Sequence, residues 1–126
     1  MNKREIGCKY EEKACEYMQK QGFRVLERNF RCRQGEIDVI GEQDGYLVFV
    51  EVKYRMTKTS GTAEEAVTYA KQKRICRTAD YYRYKHQIGN DRPIRYDVIA
   101  IQGEAKDEKE EIRWYQNAFW HIYARK

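Results

Sequence analysis

Asp38, Glu51 and Lys53 are the residues of this 126-residue chain whose types and spacing could do chemistry. They lie on two stretches that read as strands, Glu36-Ile37-Asp38-Val39-Ile40-Gly41 and Tyr46-Leu47-Val48-Phe49-Val50-Glu51-Val52-Lys53-Tyr54. Between them stands Asp44-Gly45, the dipeptide preferred by type I′ hairpin turns because both central residues need positive φ. With those two residues as the loop, Gln43 faces Tyr46, Asp38 falls opposite Glu51, and Glu36 falls opposite Lys53. Alternation puts all four on one face and leaves Ile37, Val39, Val48, Val50 and Val52 on the other. Opposed strand residues hold their Cβ atoms about 4.5–5.5 Å apart, where like charges are destabilising. Protonation of one carboxylate, a basic side chain reaching in, or a divalent cation between the acids would each relieve that cost. The cation suits hard oxygen ligands, hence Mg2+ with Mn2+ as its substitute. Lys53 beside it would orient and help deprotonate a water and stabilise charge developing on a phosphate. A surface face on which the acids simply pair with Lys53 or Arg55 fits the same spacing.

The remaining elements must hold that hairpin. From about Glu5 to Gln21 the apolar positions Ile6, Tyr10, Ala14, Tyr17 and Met18 follow a helical period, and Gly22 stands where a helix commonly ends. Phe23 to Phe30 reads as a first strand and Arg31 to Gly35 as a basic turn. A polar loop over 55–61 leads to a helix from Thr62, an N-cap with Glu65 three residues on, to about Tyr84. Ile94 to Gly103 and Ile112 to Ala118 read as the last strands, with the charged stretch between them as a turn. The order α-β-β-β-α-β-β predicts an α/β fold, a mixed sheet flanked by helices, in one domain over 1–126.

Net charge is +5 and the sequence pI about 9.0, a balance that favours a polyanionic partner, nucleic acid first. With 41% hydrophobic residues the chain is not disordered by composition. No apolar stretch approaches the ~20 residues needed to span a bilayer, and the charged amino terminus runs into an amphipathic segment rather than a signal region. A cytoplasmic protein with no membrane partner is the expectation. Cys8, Cys15, Cys32 and Cys76 show no zinc-ligand spacing and read as free thiols.

The blocks Gly35-Glu36-Ile37-Asp38-Val39-Ile40 and Val48-Phe49-Val50-Glu51-Val52-Lys53-Tyr54-Arg55 look like the central motif of PD-(D/E)XK nucleases, an acid near the end of one strand and Glu-x-Lys in the next. More closely, the chain resembles the YraN-like family of small bacterial proteins, related to archaeal Holliday-junction resolvases. The likeness takes in Gly7 and Glu11, Arg28-Asn29, the hairpin, Gly61, Glu65-Ala66-Val67, Lys71, Arg95-Tyr96-Asp97-Val98 and Asn117-Ala118-Phe119. It implies a restriction-endonuclease-like fold and a magnesium-dependent endonuclease. Asp38 and Glu51 would be the metal-binding acids, the Val52 carbonyl a further ligand and Lys53 the catalytic lysine. Glu11 would reach the metal shell, often through water, and Lys71 would face the site. Tyr10 departs from the pattern, which usually has glycine before Glu11.

Arg55 could hold a phosphate bidentately, and Arg31, Arg33, Lys58 and the cluster Lys71-Gln72-Lys73-Arg74 with Arg77 could supply backbone contacts to nucleic acid. Solvated surface charge is the plainer reading of the same residues. Glu36 could pair with Lys53. Tyr81, Tyr82 and Tyr84 fit the edge of a core better than a stacking platform, and His86 and His121 show no visible partner. Three functions compete. The first is metal-assisted phosphodiester cleavage in branched or structured DNA. The second is a nucleic-acid-binding module of the same fold that acts without cleavage or through a partner. The third is an interaction protein whose acid pair is incidental. DNA is favoured over RNA, and a homodimer and a partner protein remain open.

Overall fold

A computed structural model describes residues 3–55, 67–104 and 107–125. In chain order the elements are α1 (Lys3–Gln19), β1 (Arg24–Cys32), β2 (Gly35–Gln43), β3 (Tyr46–Arg55), α2 (Tyr69–Lys85), β4 (Ile94–Glu104) and β5 (Asp107–Phe119). They build one five-stranded sheet in the order β1-β2-β3-β4-β5, antiparallel except where β3 and β4 run parallel. A mixed sheet flanked by two helices is the predicted α/β architecture. Among the described residues no helix is long and apolar enough to cross a membrane.

The central strand is apolar on both faces because each face is covered. Leu47 and Phe49 join Ile75, Cys76, Ala79 and Tyr82 of α2 in one core, whereas Val48 and Val50 join Ala14, Cys15 and Met18 of α1 in another. Such a strand reads as a continuous hydrophobic run rather than an alternation. Removing Phe49 and its neighbours from water at roughly 25 cal/mol per Å2 of apolar area is the main force holding the helices to the sheet.

Asp44 and Gly45 adopt φ of 52° and 85° and set the predicted register, with Gln43 opposite Tyr46 and Val39 opposite Val50. Gly22, at φ 91°, ends the turn after α1 as expected, with the Phe23 amide donating to the Met18 carbonyl.

Several boundaries differ from the sequence reading. Strand β1 runs on to Cys32, so the basic turn shrinks to Arg33 and Gln34, with Cys32 facing Gly35. Thr68, extended at φ −63° and ψ 160°, caps α2 by accepting from the Lys71 amide, so the helix begins at Tyr69 and does not continue back to Thr62. Thr62 and Glu65 themselves lie outside the described residues. Strand β5 starts at Asp107, which faces Glu104 of β4. Glu110 and Glu111, expected in a turn, are therefore exposed on an edge strand, where charge opposes edge-to-edge pairing. Ile37 does not share a face with Val39. Asn29, across from Asp38, takes a positive φ of 54°, and Phe30 and Ile37 on the far side of it both enter the α2 core.

Tyr82 is buried against Phe30 and Phe49, as a core-edge residue should be, and Tyr81 stacks on Phe30, whereas Tyr84 is exposed. Both histidines have neighbours the sequence did not reveal. The Tyr96 hydroxyl lies 2.7 Å from His121 Nδ1, Asp80 lies 3.3 Å from its Nε2, and the His86 ring packs on Tyr82. All four cysteines are free thiols, as expected.

A buried ion pair on β4 fastens that strand to β5 and to the end of β2. Asp97 accepts from Arg95 Nε and Nη2, from Trp114 Nε1 and from the Asn117 amide, each at 2.9 Å. Arg95 also donates to Gln43 at 2.7 Å, which ties the hairpin end to β4. Taking one partner away leaves an uncompensated charge in the interior. Asp97→Ala should therefore cost about 3–5 kcal/mol, measured as a lowered urea midpoint.

Candidate active site

The β2–β3 ladder stops at Val39 and Val50, one step short of the predicted Asp38–Glu51 pair. The cause is Asp38 itself. Its Oδ2 accepts from the Val52 amide at 2.8 Å, the next donor that the ladder would have used. Beyond that point β2 stays with β1 as far as Gly35, and β3 continues with β4 as far as Arg55. Asp38 and Glu51 therefore sit at the fork where the two strands part, instead of facing each other within a ladder.

Glu36 does not face Lys53. It pairs with Arg31 at 2.9 Å, and both side chains are exposed. That pairing follows from the β1–β2 register, which sets Arg31 directly opposite Glu36.

The electrostatics of the fork follow from burial. Glu51 is buried, and Lys71 Nζ approaches its Oε1 to 2.7 Å, with Lys53 Nζ at 3.5 Å from the same oxygen. Burial, and then the charge of Glu51, push the Asp38 carboxyl up to about 7, although the Val52 amide works the other way. Burial and the neighbouring Lys71 lower the Lys53 ammonium from its ordinary value. Burial is the largest single influence on Lys71 and opposes its charge, but its hydrogen bonds to Glu51 and Lys53 and the charges of Glu51 and Asp38 together raise it. Two of the three predicted remedies for crowded carboxylates are thus in place together: a basic side chain on one acid and a proton held more tightly by the other.

Glu11 comes from α1 into the same field. Burial raises its carboxyl, with a hydrogen bond to Asn29 acting against the rise, and its Oε1 is buried with no hydrogen-bond partner. A cavity of about 380 Å3 lined by Gly7, Cys8, Glu11, Asn29, Arg31 and Glu36 opens beside it. Tyr10 stacks on Tyr54, ring centroids 4.2 Å apart, so the residue that departs from the family pattern seats α1 against the strand bearing Glu51 and Lys53.

Among the described residues no group of three or more acids, histidines or cysteines is gathered closely enough to hold a metal ion. Magnesium usually takes only one or two carboxylates, completing its shell with water and substrate phosphate. Asp38 and Glu51, the Val52 carbonyl and the unpartnered Glu11 oxygen offer hard oxygen atoms of that kind, and the donor set fits.

The basic residues divide. Lys71 meets the acids. Arg77 is drawn to Asp80 and the Ile122 carbonyl, and Lys73 covers the Tyr69 ring. Arg33 is exposed in the β1–β2 turn. Arg55 ends β3 with its side chain undescribed, and Lys58 lies outside the described residues. Sequence reasoning missed Asn29 and Thr68. A strand asparagine opposite Asp38 and a threonine three residues before Lys71 were the available signals.

A model of the uncharacterised protein family UPF0102 matches residues 10–101, a span that holds Glu11, Asp38, Glu51, Lys53 and Lys71. The chain belongs to UPF0102. This is the YraN family that the sequence blocks resemble. A UPF0102 protein of Lachnoclostridium phytofermentans is 46% identical over 94% of this chain and 96% of its own length. One from Caldicellulosiruptor saccharolyticus is 41% identical over 94% of this chain and all of its own length, and one from Vibrio parahaemolyticus is 44% identical over 93% of each. The UPF0102 likeness therefore runs nearly end to end.

Proposed function

We propose that this UPF0102 protein is a magnesium-dependent nuclease that hydrolyses phosphodiester bonds, with branched or structured DNA as its preferred substrate. The observation that carries the reading is the fork. Two acids from adjacent strands meet where the strands part, and a lysine with a lowered pKa stands one same-face step along β3 from the buried acid. Bound magnesium would supply Lewis-acid stabilisation of the phosphate and lower the pKa of a water. Asp38, Glu51, the Val52 carbonyl and Glu11 would hold it. Lys53 would orient the attacking water and take part in moving its proton, a task suited to an ammonium whose pKa burial has brought down. The net charge of +5 supports a polyanionic substrate. The preference for branched DNA rests on the resemblance to resolvases, an analogy of fold.

Incubation with Mg2+ or Mn2+ and labelled four-way DNA junctions, linear duplex and RNA tests the reading. Metal-dependent cuts leaving a 3′-hydroxyl and a 5′-phosphate, with junctions cut fastest, are expected. Salt-dependent binding to the same molecules that ignores metal, with no cleavage, would instead favour a binding module of this fold.

A further inference from the structure

We infer that Lys71 is a phosphate-binding group held in reserve: its ammonium serves as the internal counter-ion of Glu51 and is released to the nucleic acid when a divalent cation takes its place. The inference rests on the metal-binding reading of Asp38 and Glu51 and adds what their nearest cation does.

Three observations carry it. The shortest ion pair at the fork belongs to Lys71, 2.7 Å from Glu51 Oε1, whereas Lys53 stands off at 3.5 Å from that oxygen. Glu51 is buried, so an ammonium on its oxygen is a strong competitor for any other cation. Lys71 is also anchored to leave and return. Its own amide donates to the Thr68 cap, which fixes the backbone in the first turn of α2, while the side chain is about one-third exposed and spans to the sheet from that fixed point. Four rotatable carbons let the ammonium swing toward solvent without moving the helix.

Charge balance sets the direction of the exchange. A monovalent cation suffices for one buried carboxylate, but Asp38 stands beside Glu51 where the two strands part, its Oδ2 on the amide of Val52, the residue after Glu51. A divalent ion can answer both acids at once, and Lys71 then has no reason to stay. Freed, it stands beside Lys53 with both ammonium groups unpaired, facing the place where a phosphate would approach. Cation binding thus converts a neutralised acid site into a cationic one, and nucleic-acid affinity and metal affinity become linked through one side chain.

Lys71→Met, which keeps length and removes charge, tests this with two binding measurements on the intact protein. Mn2+ should bind the variant about tenfold more tightly than wild type in the absence of nucleic acid, because the internal competitor is gone. DNA-junction affinity of wild type and variant should be equal in chelator, where Lys71 is occupied by Glu51. In calcium, which takes the same oxygen donors, the variant should bind DNA about tenfold more weakly. Lys71→Gln serves as the second variant if methionine impairs folding. Equal Mn2+ affinity in wild type and variant would overturn the inference and leave the metal reading standing. So would a loss of DNA affinity that is the same with and without calcium. No Mn2+ binding to either protein would overturn the metal reading and the inference together.

Discussion

Lys53→Ala is expected to lower metal-dependent phosphodiester cleavage by about two to four orders of magnitude while leaving the unfolding temperature within a few degrees of wild type. The two halves of that expectation have separate causes. Activity should fall because no other described ammonium stands where Lys53 does, one same-face step along β3 from Glu51, and Lys71 approaches that acid from α2 instead. Stability should hold because Lys53 lies 3.5 Å from a carboxylate that keeps its closer partner, and because removing one of two adjacent ammonium groups relieves a repulsion. Glu51→Gln is a poorer probe, since it strips the partner from both lysines at once. Single-turnover cleavage beside a thermal melt checks both halves. Unchanged turnover would remove Lys53 from the mechanism.

The second large effect is on stability. Asp38→Asn is expected to make the metal-free protein more stable at pH 8, by on the order of 2–4 kcal/mol. The sign comes from the proton count. Unfolded, Asp38 titrates near 3.8; folded, it titrates at about 7. Between those values the folded chain holds a proton that the unfolded chain has released, so stability declines as pH rises through that window. Above pH 7 the whole cost is present. Asparagine never incurs it and can still accept from the Val52 amide with its carbonyl oxygen. The advantage of the variant should shrink as pH falls from 8 toward 5. Urea unfolding at several pH values measures it, and an advantage that does not change with pH would exclude charge on Asp38 as its source. A site residue whose removal stabilises the fold is one retained for what it does rather than for what it holds together.

Much of this site was legible in the sequence. Asp44-Gly45 dictates a turn, the turn dictates a register, and the register delivers Asp38 and Glu51 to neighbouring strands. The ladder's end was not legible, because it depends on one carboxylate taking the Val52 amide, a side-chain event that alternation does not encode. The start of α2 was misread for a related reason. Thr62 with Glu65 matches a capping box, yet Thr68 caps the helix, and the sequence pattern alone does not choose between the two threonines. The entry of Ile37 and Val39 into opposite cores was not legible either, because plain strand alternation puts residues two apart on one face. Asp97 stood in a block shared with the family and could have passed for a third acid of the site. Its four hydrogen bonds to Arg95, Trp114 and Asn117 make it a fastener of β4 to β5 instead.

Thermal unfolding of wild type and Asp38→Asn at pH 8, with and without millimolar Mn2+ and with a four-way DNA junction present in every sample, tests the metal site most directly. A ligand that binds only the native state raises stability by mass action, so wild type should gain about 3–6 °C with Mn2+ and the variant should gain nothing. A wild-type protein that unfolds at the same temperature with and without Mn2+, or a variant that rises with it by the same amount, would contradict a cation held between Asp38 and Glu51.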